Sequence, residues 1–288
     1  MITIQTLLEQ SSQQLSTVSD SPRLDAELLL GYCLNKERSY FYAWGEELVN
    51  ASAEQAFIKL LKKRLTNYPI AYLLGYQAFW SLDLIVNEDV LIPRPETELL
   101  VETALEKIQY LKAPKILDLG TGSGAIALAI ATERADAIIT ATDYSYKALA
   151  VAKENAQKNH LYNVNFIHSN WFSDITIQSF DLIVANPPYI KSQDAHLQQG
   201  IRYEPLQALS SGETGLEDIK IILTSALDYM KDNAWMLIEH GYDQGELVPK
   251  LMTKIGGLQD SHCIKDYNKN DRLSMAKKEV TPKNIRLT

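Results

Sequence analysis

Pro114-Lys115-Ile116-Leu117-Asp118-Leu119-Gly120-Thr121-Gly122-Ser123-Gly124-Ala125-Ile126-Ala127-Leu128 decides the fold of this chain. The stretch opens as a short apolar strand. Three glycines at alternate positions then let the backbone pass close under a ligand. The alanine-rich run 125–131 that follows is good helix material. Strand, glycine-rich turn and helix together open a nucleotide-binding α/β unit. The next apolar run, 137–142, ends in Asp143, 19 residues beyond Gly124. An acid at the end of a second strand is placed to accept hydrogen bonds from ribose hydroxyls.

The loop has two readings. Gly120-x-Gly122-x-x-Ala125 satisfies the dinucleotide fingerprint. A pyrophosphate, however, disfavours a carboxylate at the head of its loop, and Asp118 stands two residues before the first glycine. A cationic ligand suits that acid better. S-adenosylmethionine carries a sulfonium and an ammonium group, and Asp118 can attract either, the ammonium also through water.

Downstream, Phe180-Asp181-Leu182-Ile183-Val184-Ala185 reads as a buried strand that stops at Asn186-Pro187-Pro188-Tyr189. The prolines lack N–H groups and fix φ, and Pro187 keeps Asn186 out of the helical region. The corner suits a planar –NH2 group. The Asn186 oxygen and the Pro187 carbonyl accept its two hydrogens, and Tyr189 covers its face. The plainer reading is a Pro-Pro turn after a strand. In the common strand order of doubly wound sheets, the strands before Gly120 and Asn186 are neighbours. One crevice would then receive both motifs, although 62 residues separate Gly124 from Asn186.

These residues resemble the S-adenosylmethionine-dependent amino-group methyltransferases. The closer resemblance is to the peptide chain release factor glutamine methyltransferases, the HemK/PrmC family. Further stretches carry it: Ile70-Ala71-Tyr72-Leu73-Leu74-Gly75, Ile92-Pro93-Arg94-Pro95-Glu96-Thr97-Glu98 and Asn170-Trp171-Phe172. So do Glu204-Pro205, Ala208-Leu209, Gly212, Gly215-Leu216 and Glu239-His240-Gly241. The similarity runs from the N-terminal helices to about residue 278. One departure is Asn170, where the family usually has an acid; it touches a polar contact near the adenine, not the stacking by Trp171. The resemblance implies a Rossmann-like, mostly parallel seven-stranded sheet, with a last antiparallel strand, joined to a small helical domain. It implies S-adenosyl-L-methionine held by Asp118, Gly120, Thr121, Gly122, Ser123, Gly124, Asp143, Trp171 and Asn186. Asn186, Pro187, Pro188 and Tyr189 would bind the substrate, with Asn186, Pro187 and Tyr189 catalytic. The substrate implied is the glutamine of Gly-Gly-Gln in class I peptide chain release factors.

Three segments are expected: a helical substrate-binding domain over 1–75, a β-hairpin linker over 76–93 and the methyltransferase domain over 94–288. Ser21-Pro22 reads as a helix start, and Ser52-Ala53-Glu54-Gln55 as a capping box. The helix it opens places Phe57, Leu60, Leu61 and Leu65 on one face and Lys59, Lys62, Lys63 and Arg64 on the other. The basic face reads as solvated, with substrate contact as the alternative. In the linker, strands at 79–86 and 90–92 flank a polar turn, Asn87-Glu88-Asp89. The segment 93–98 reads equally as a helix cap and as a wall of the site. Large-sheet strands are expected near 115–119, 138–143, 163–168, 180–185 and 233–239, followed by a hairpin of 261–267 and 272–278. No period is assigned over 279–288.

The 288 residues are 46% hydrophobic with a formal net charge of −8, so bulk nucleic-acid binding is not expected. Cys33 and Cys263 form no close pair, which suits a reducing compartment. No apolar run reaches 18 residues and 1–5 lack a charged leader, so a cytoplasmic protein is expected. His160, His168, His196 and His240 lack ligand spacing, and no metal site is expected. His262 and Cys263, adjacent on a strand, point to opposite faces. Trp171 is placed for adenine contact, with a core role as the alternative. Competing functions are a glutamine methyltransferase acting on a ribosomal protein, an adenine-amino DNA methyltransferase and a non-catalytic nucleotide-binding module. The DNA enzyme would need a base-flipping pocket and a basic surface.

Overall fold

A computed structural model describes residues 2–176, 179–198 and 200–280. The ends of the expected segments 1–75 and 94–288, at residue 1 and at 281–288, lie outside the described residues. The chain divides into two compact units. One comprises Met1–Tyr76 with Gln198–Tyr203, and the other Gln77–Leu197 with Glu204–Thr288.

The first unit is helical: α1 Ile4–Leu15, α2 Pro22–Leu34, α3 Arg38–Ala43, α4 Ala51–Arg64 and α5 Ile70–Leu74. Leu8, Leu15, Leu29, Leu30 and Phe57 are fully buried in its core, each contributing about 1.5–3 kcal/mol by leaving water. Pro22 takes the first position of α2, where its missing N–H costs nothing. α4 differs from expectation. Its cap is Asn50, whose side chain accepts from Ala53 N at 2.9 Å, so Ser52 lies inside the first turn rather than capping it. Arg64 also leaves the basic face: its Nε donates to Asp25 at 2.8 Å, and only Lys59, Lys62 and Lys63 remain exposed. Within this unit the Tyr203 hydroxyl donates to the Thr66 carbonyl at 3.0 Å.

The second unit begins with the hairpin of β1 Tyr76–Phe79 and β2 Leu82–Ile85. The expected hairpin is therefore displaced. Its turn is Trp80-Ser81, and 90–92 form no strand. Trp80 adopts φ +55, fixed by its N donating to Glu98 and its Nε1 donating to Glu133, both at 2.8 Å. Asn87 still makes a turn, accepting from Asp89 N at 2.9 Å, but beyond the sheet.

A seven-stranded sheet follows, built from β3 Lys115–Leu119, β4 Ile138–Asp143, β5 Val164–His168, β6 Phe180–Ala185, β7 Met230–Glu239, β8 Leu258–Lys265 and β9 Asp271–Lys278. Its order is β5-β4-β3-β6-β7-β9-β8, and β9 runs opposite to the other six strands. Alternate residues of β3 face opposite layers. Ile116 joins a core with α6 Glu98–Ile108 and α7 Ala125–Glu133, while Leu117 and Leu119 join one with α9 Glu217–Ala226 and α10 Leu247–Ile255. The remaining helix, α8 Tyr146–Lys158, follows β4. No helix among the described residues is long and apolar enough to cross a membrane.

Candidate functional site

Parallel pairing of β3 with β6 sets Leu119 opposite Ala185. The glycine loop and the Asn186 corner therefore leave neighbouring strands at the same end of the sheet, where the strand order reverses. Gly120, Gly122 and Gly124 all adopt positive φ, at +73°, +57° and +88°. Thr121 N donates to Thr142 O at 2.8 Å, which ties the loop to β4.

A cavity of about 200 Å³, partly open to solvent, lies at this end. Of the residues singled out by sequence, Gly120, Gly122, Asp143, Trp171, Asn186 and Pro188 line it. The others stand behind the wall. Thr121 donates to Asp118 Oδ2 at 2.6 Å, and the Ser123 carbonyl accepts from Asn155 at 2.9 Å. Gly124 begins α7, and Pro187 is buried. Tyr189 also differs from expectation: its ring is not part of the wall, and its carbonyl accepts from Gln244 Nε2 at 3.1 Å. The Tyr189 backbone runs so close to Gly215 that a Cβ there would stand 2.3 Å from its oxygen, which accounts for that glycine.

Asp143 takes hydrogen bonds from Gly122 N and Ser145 N, both at 2.8 Å. Each of its oxygens keeps a further lone pair for a ribose hydroxyl. Burial pushes its pKa up, and those backbone donors hold the rise back. Trp171 sits at φ +52, uncommon for a bulky side chain, in a turn held by the Ser169 hydroxyl donating to its carbonyl at 2.8 Å. Its ring meets the space above Gly120 and packs on the core beneath β3. Its Nε1 donates to Asp218 at 3.2 Å. Asn186 Nδ2 donates to Thr97 Oγ1 at 3.3 Å, which brings the 93–98 segment to the site. That segment is anchored by Glu204, which accepts from Ile92 N at 3.0 Å and pairs with Arg94.

Sequence reading did not assign Asp89, Val90, Leu91, Tyr144, Ser145, Gln207 or Asp218 to the wall. Asp218 lies in the first turn of α9, and the others come from loops without a motif of their own. Pro205 and Ala208, noticed only in shared stretches, also line it, and so does Asn170.

The wall is acidic. Asp89, Asp143 and Asp218 line the cavity, and among the described residues no Lys or Arg does. Behind it Asp118 is wholly buried, with Oδ1 lacking a hydrogen-bond partner. Burial raises its pKa to about 7, against the Thr121 hydrogen bond. A dinucleotide pyrophosphate would meet only negative charge here, whereas a sulfonium nucleoside with an ammonium group fits.

Residues 6–75 match the family model of the PrmC N-terminal domain, and 95–212 that of the methyltransferase small domain. The chain is 48% identical to the release factor glutamine methyltransferase of Coxiella burnetii, covering 89% of this chain and 92% of that one. It is 44% identical to the protein of the same name in Shewanella oneidensis, covering 92% of each. The solved structure of a methyltransferase from Pyrococcus furiosus aligns with a TM-score of 0.53 over 76% of this chain and 98% of that one. At 20% identity that likeness bears on the fold alone.

Proposed function

Because the chain belongs to the release factor glutamine methyltransferases, we propose that it methylates the glutamine of Gly-Gly-Gln in class I peptide chain release factors. The nitrogen of the side-chain amide would receive the methyl group of S-adenosylmethionine. The observation that carries this reading is one acidic cavity wall joining Gly120, Gly122, Asp143 and Trp171 to Asn186. We assign 1–75 to holding the protein substrate, 76–93 to the linker and 94–288 to chemistry. Two free, half-buried cysteines suit a cytoplasmic enzyme.

Asp143 would hold the ribose, Trp171 the adenine, and the glycine loop with Asp118 the cationic end. S-adenosylmethionine, when bound, supplies an electrophilic methyl group. The chain's own task is to make a poor nucleophile attack, since an amide nitrogen delocalises its lone pair into the carbonyl. Asn186 Oδ1 and the Pro187 carbonyl accept the two N–H hydrogens, which returns electron density to nitrogen and aims it. As the N–C bond forms and the methyl–sulfur bond breaks, with the electron pair leaving on the thioether of S-adenosylhomocysteine, the amide becomes acidic and releases a proton to solvent, so no strong base is needed. Tyr189, held from behind through its carbonyl, would keep the corner rigid.

The test is mass spectrometry after incubating the enzyme and S-adenosylmethionine with a release factor, a ribosomal protein or DNA. We expect one methyl group on the release-factor glutamine. Methyl transfer only to ribosomal protein or to DNA adenine, with release factor unmodified, overturns this reading.

A further inference from the structure

Glu239, the last residue of β7, is buried, and its Oε2 has no hydrogen-bond partner. Pairing of Ala185 with Ile238 places it beside Asn186 across the β6–β7 seam. Thr97 and Asn186 are the neighbouring side chains that favour its ionised form. Thr97 is itself buried and accepts from Asn186 Nδ2 at 3.3 Å. We propose that Glu239 is a positioning residue which, with Thr97, holds the Asn186 amide with its oxygen toward the reacting nitrogen. The inference rests on the methyl-transfer reading above.

The reasoning is one of hydrogen-bond direction. The two ends of an asparagine amide have nearly the same shape, and only the oxygen can accept from a substrate –NH2. An ionised carboxylate accepts and cannot donate. On this proposal Thr97 turns its one hydrogen toward Glu239, which leaves its lone pairs for Asn186 Nδ2. A protonated Glu239 could donate to Thr97. The hydroxyl could then turn to Asn186 Oδ1, and a flipped amide would present –NH2 to –NH2. The charged and titratable groups facing Glu239 are Arg272 on β9, Glu96 before α6 and Tyr189 after β6. Burial raises the Glu239 pKa to about 7 despite Thr97 and Arg272. The switch thus falls where kinetics can read it.

The experiment compares wild type, Glu239→Gln, Thr97→Val and Thr97→Ser, all as the full chain, with whole release factor as acceptor. Loss of an outer partner of a reacting group should lower kcat about 10-fold to 100-fold in Glu239→Gln and Thr97→Val. Thr97→Ser should recover most of that loss. Affinity for S-adenosylmethionine, measured by calorimetry, should stay within about twofold of wild type, because neither Glu239 nor Thr97 lines the cavity. Wild-type kcat should fall below about pH 7, and Glu239→Gln should lack that limb. Equal kcat in wild type and Thr97→Val, or a wild-type kcat flat through this range, overturns the proposal even if Glu239→Gln fails to fold. Wild type that modifies no release factor would overturn the functional reading instead.

Discussion

At Asp118, burial and the Thr121 hydroxyl pull in opposite directions, and burial wins, setting the pKa at about 7 against an ordinary 3.8. The native state therefore keeps a proton that the unfolded chain loses between those two values. Where the native state binds more protons, stability falls as pH rises. Asp118→Asn removes this dependence. Its melting temperature should gain on that of the ligand-free wild type as pH climbs from about 4 to 8, whatever the offset at the start. A difference between the two that is independent of pH would remove Asp118 as the titrating group. Asp143 serves differently, since its oxygens both hold backbone donors and face the cavity. Asp143→Ala should weaken S-adenosylmethionine binding roughly tenfold to 150-fold, the size of one hydrogen bond to a charged group. Calorimetry that finds unchanged affinity in a folded variant would refute the ribose assignment.

The glycine loop shows how one motif divides its labour along an element. A Cβ at Gly124 would stand 2.9 Å from Leu128 Cδ1, in a fully buried part of α7, whereas nothing lies within 4 Å of one at Gly122. Both positions have positive φ, which costs an alanine roughly 1–2 kcal/mol. Gly124→Ala adds overpacking, on the order of 1–3 kcal/mol more. Urea unfolding should rank Gly124→Ala below Gly122→Ala, and the opposite order would deny the close packing of loop on helix. The elements that sequence made legible are those whose burial is two-sided. The runs at 115–119, 138–143 and 180–185 are apolar because helices cover both faces, and they stand at those positions. Where local chemistry competed with tertiary contacts, local chemistry misled. The Asn87 turn signal is real, yet the hairpin turns at Trp80, which has no turn propensity and is held by Glu98 and Glu133 from two helices. Asn50, two residues before the supposed cap, took the helix start from Ser52.

On the scale of the whole molecule, the acid and corner motifs were legible because strand ends collect them. The rest of the wall was not, because Asp89, Tyr144, Gln207 and Asp218 meet only after the sheet has wound. The Glu239–Thr97–Asn186 cluster was equally silent as a cluster, since its members lie in separate stretches, 53 and 89 residues apart along the chain. The helical unit has its own core and exposes Tyr42 and Trp44, and Lys59, Lys62 and Lys63 lie on α4, so it offers surface that the chemistry does not require. If that unit holds a protein substrate, contacts remote from the glutamine should orient the Gly-Gly-Gln loop, whose glycines pass a narrow crevice without a side chain. A remote contact worth only about 3 kcal/mol changes kcat/KM by roughly 100-fold. Whole release factor should therefore exceed a short Gly-Gly-Gln peptide in kcat/KM by about that factor or more, measured by transfer of labelled methyl groups under identical conditions. A peptide that reacts as well as the whole factor would show that recognition ends at the cavity, and that the helical unit contributes nothing to catalysis.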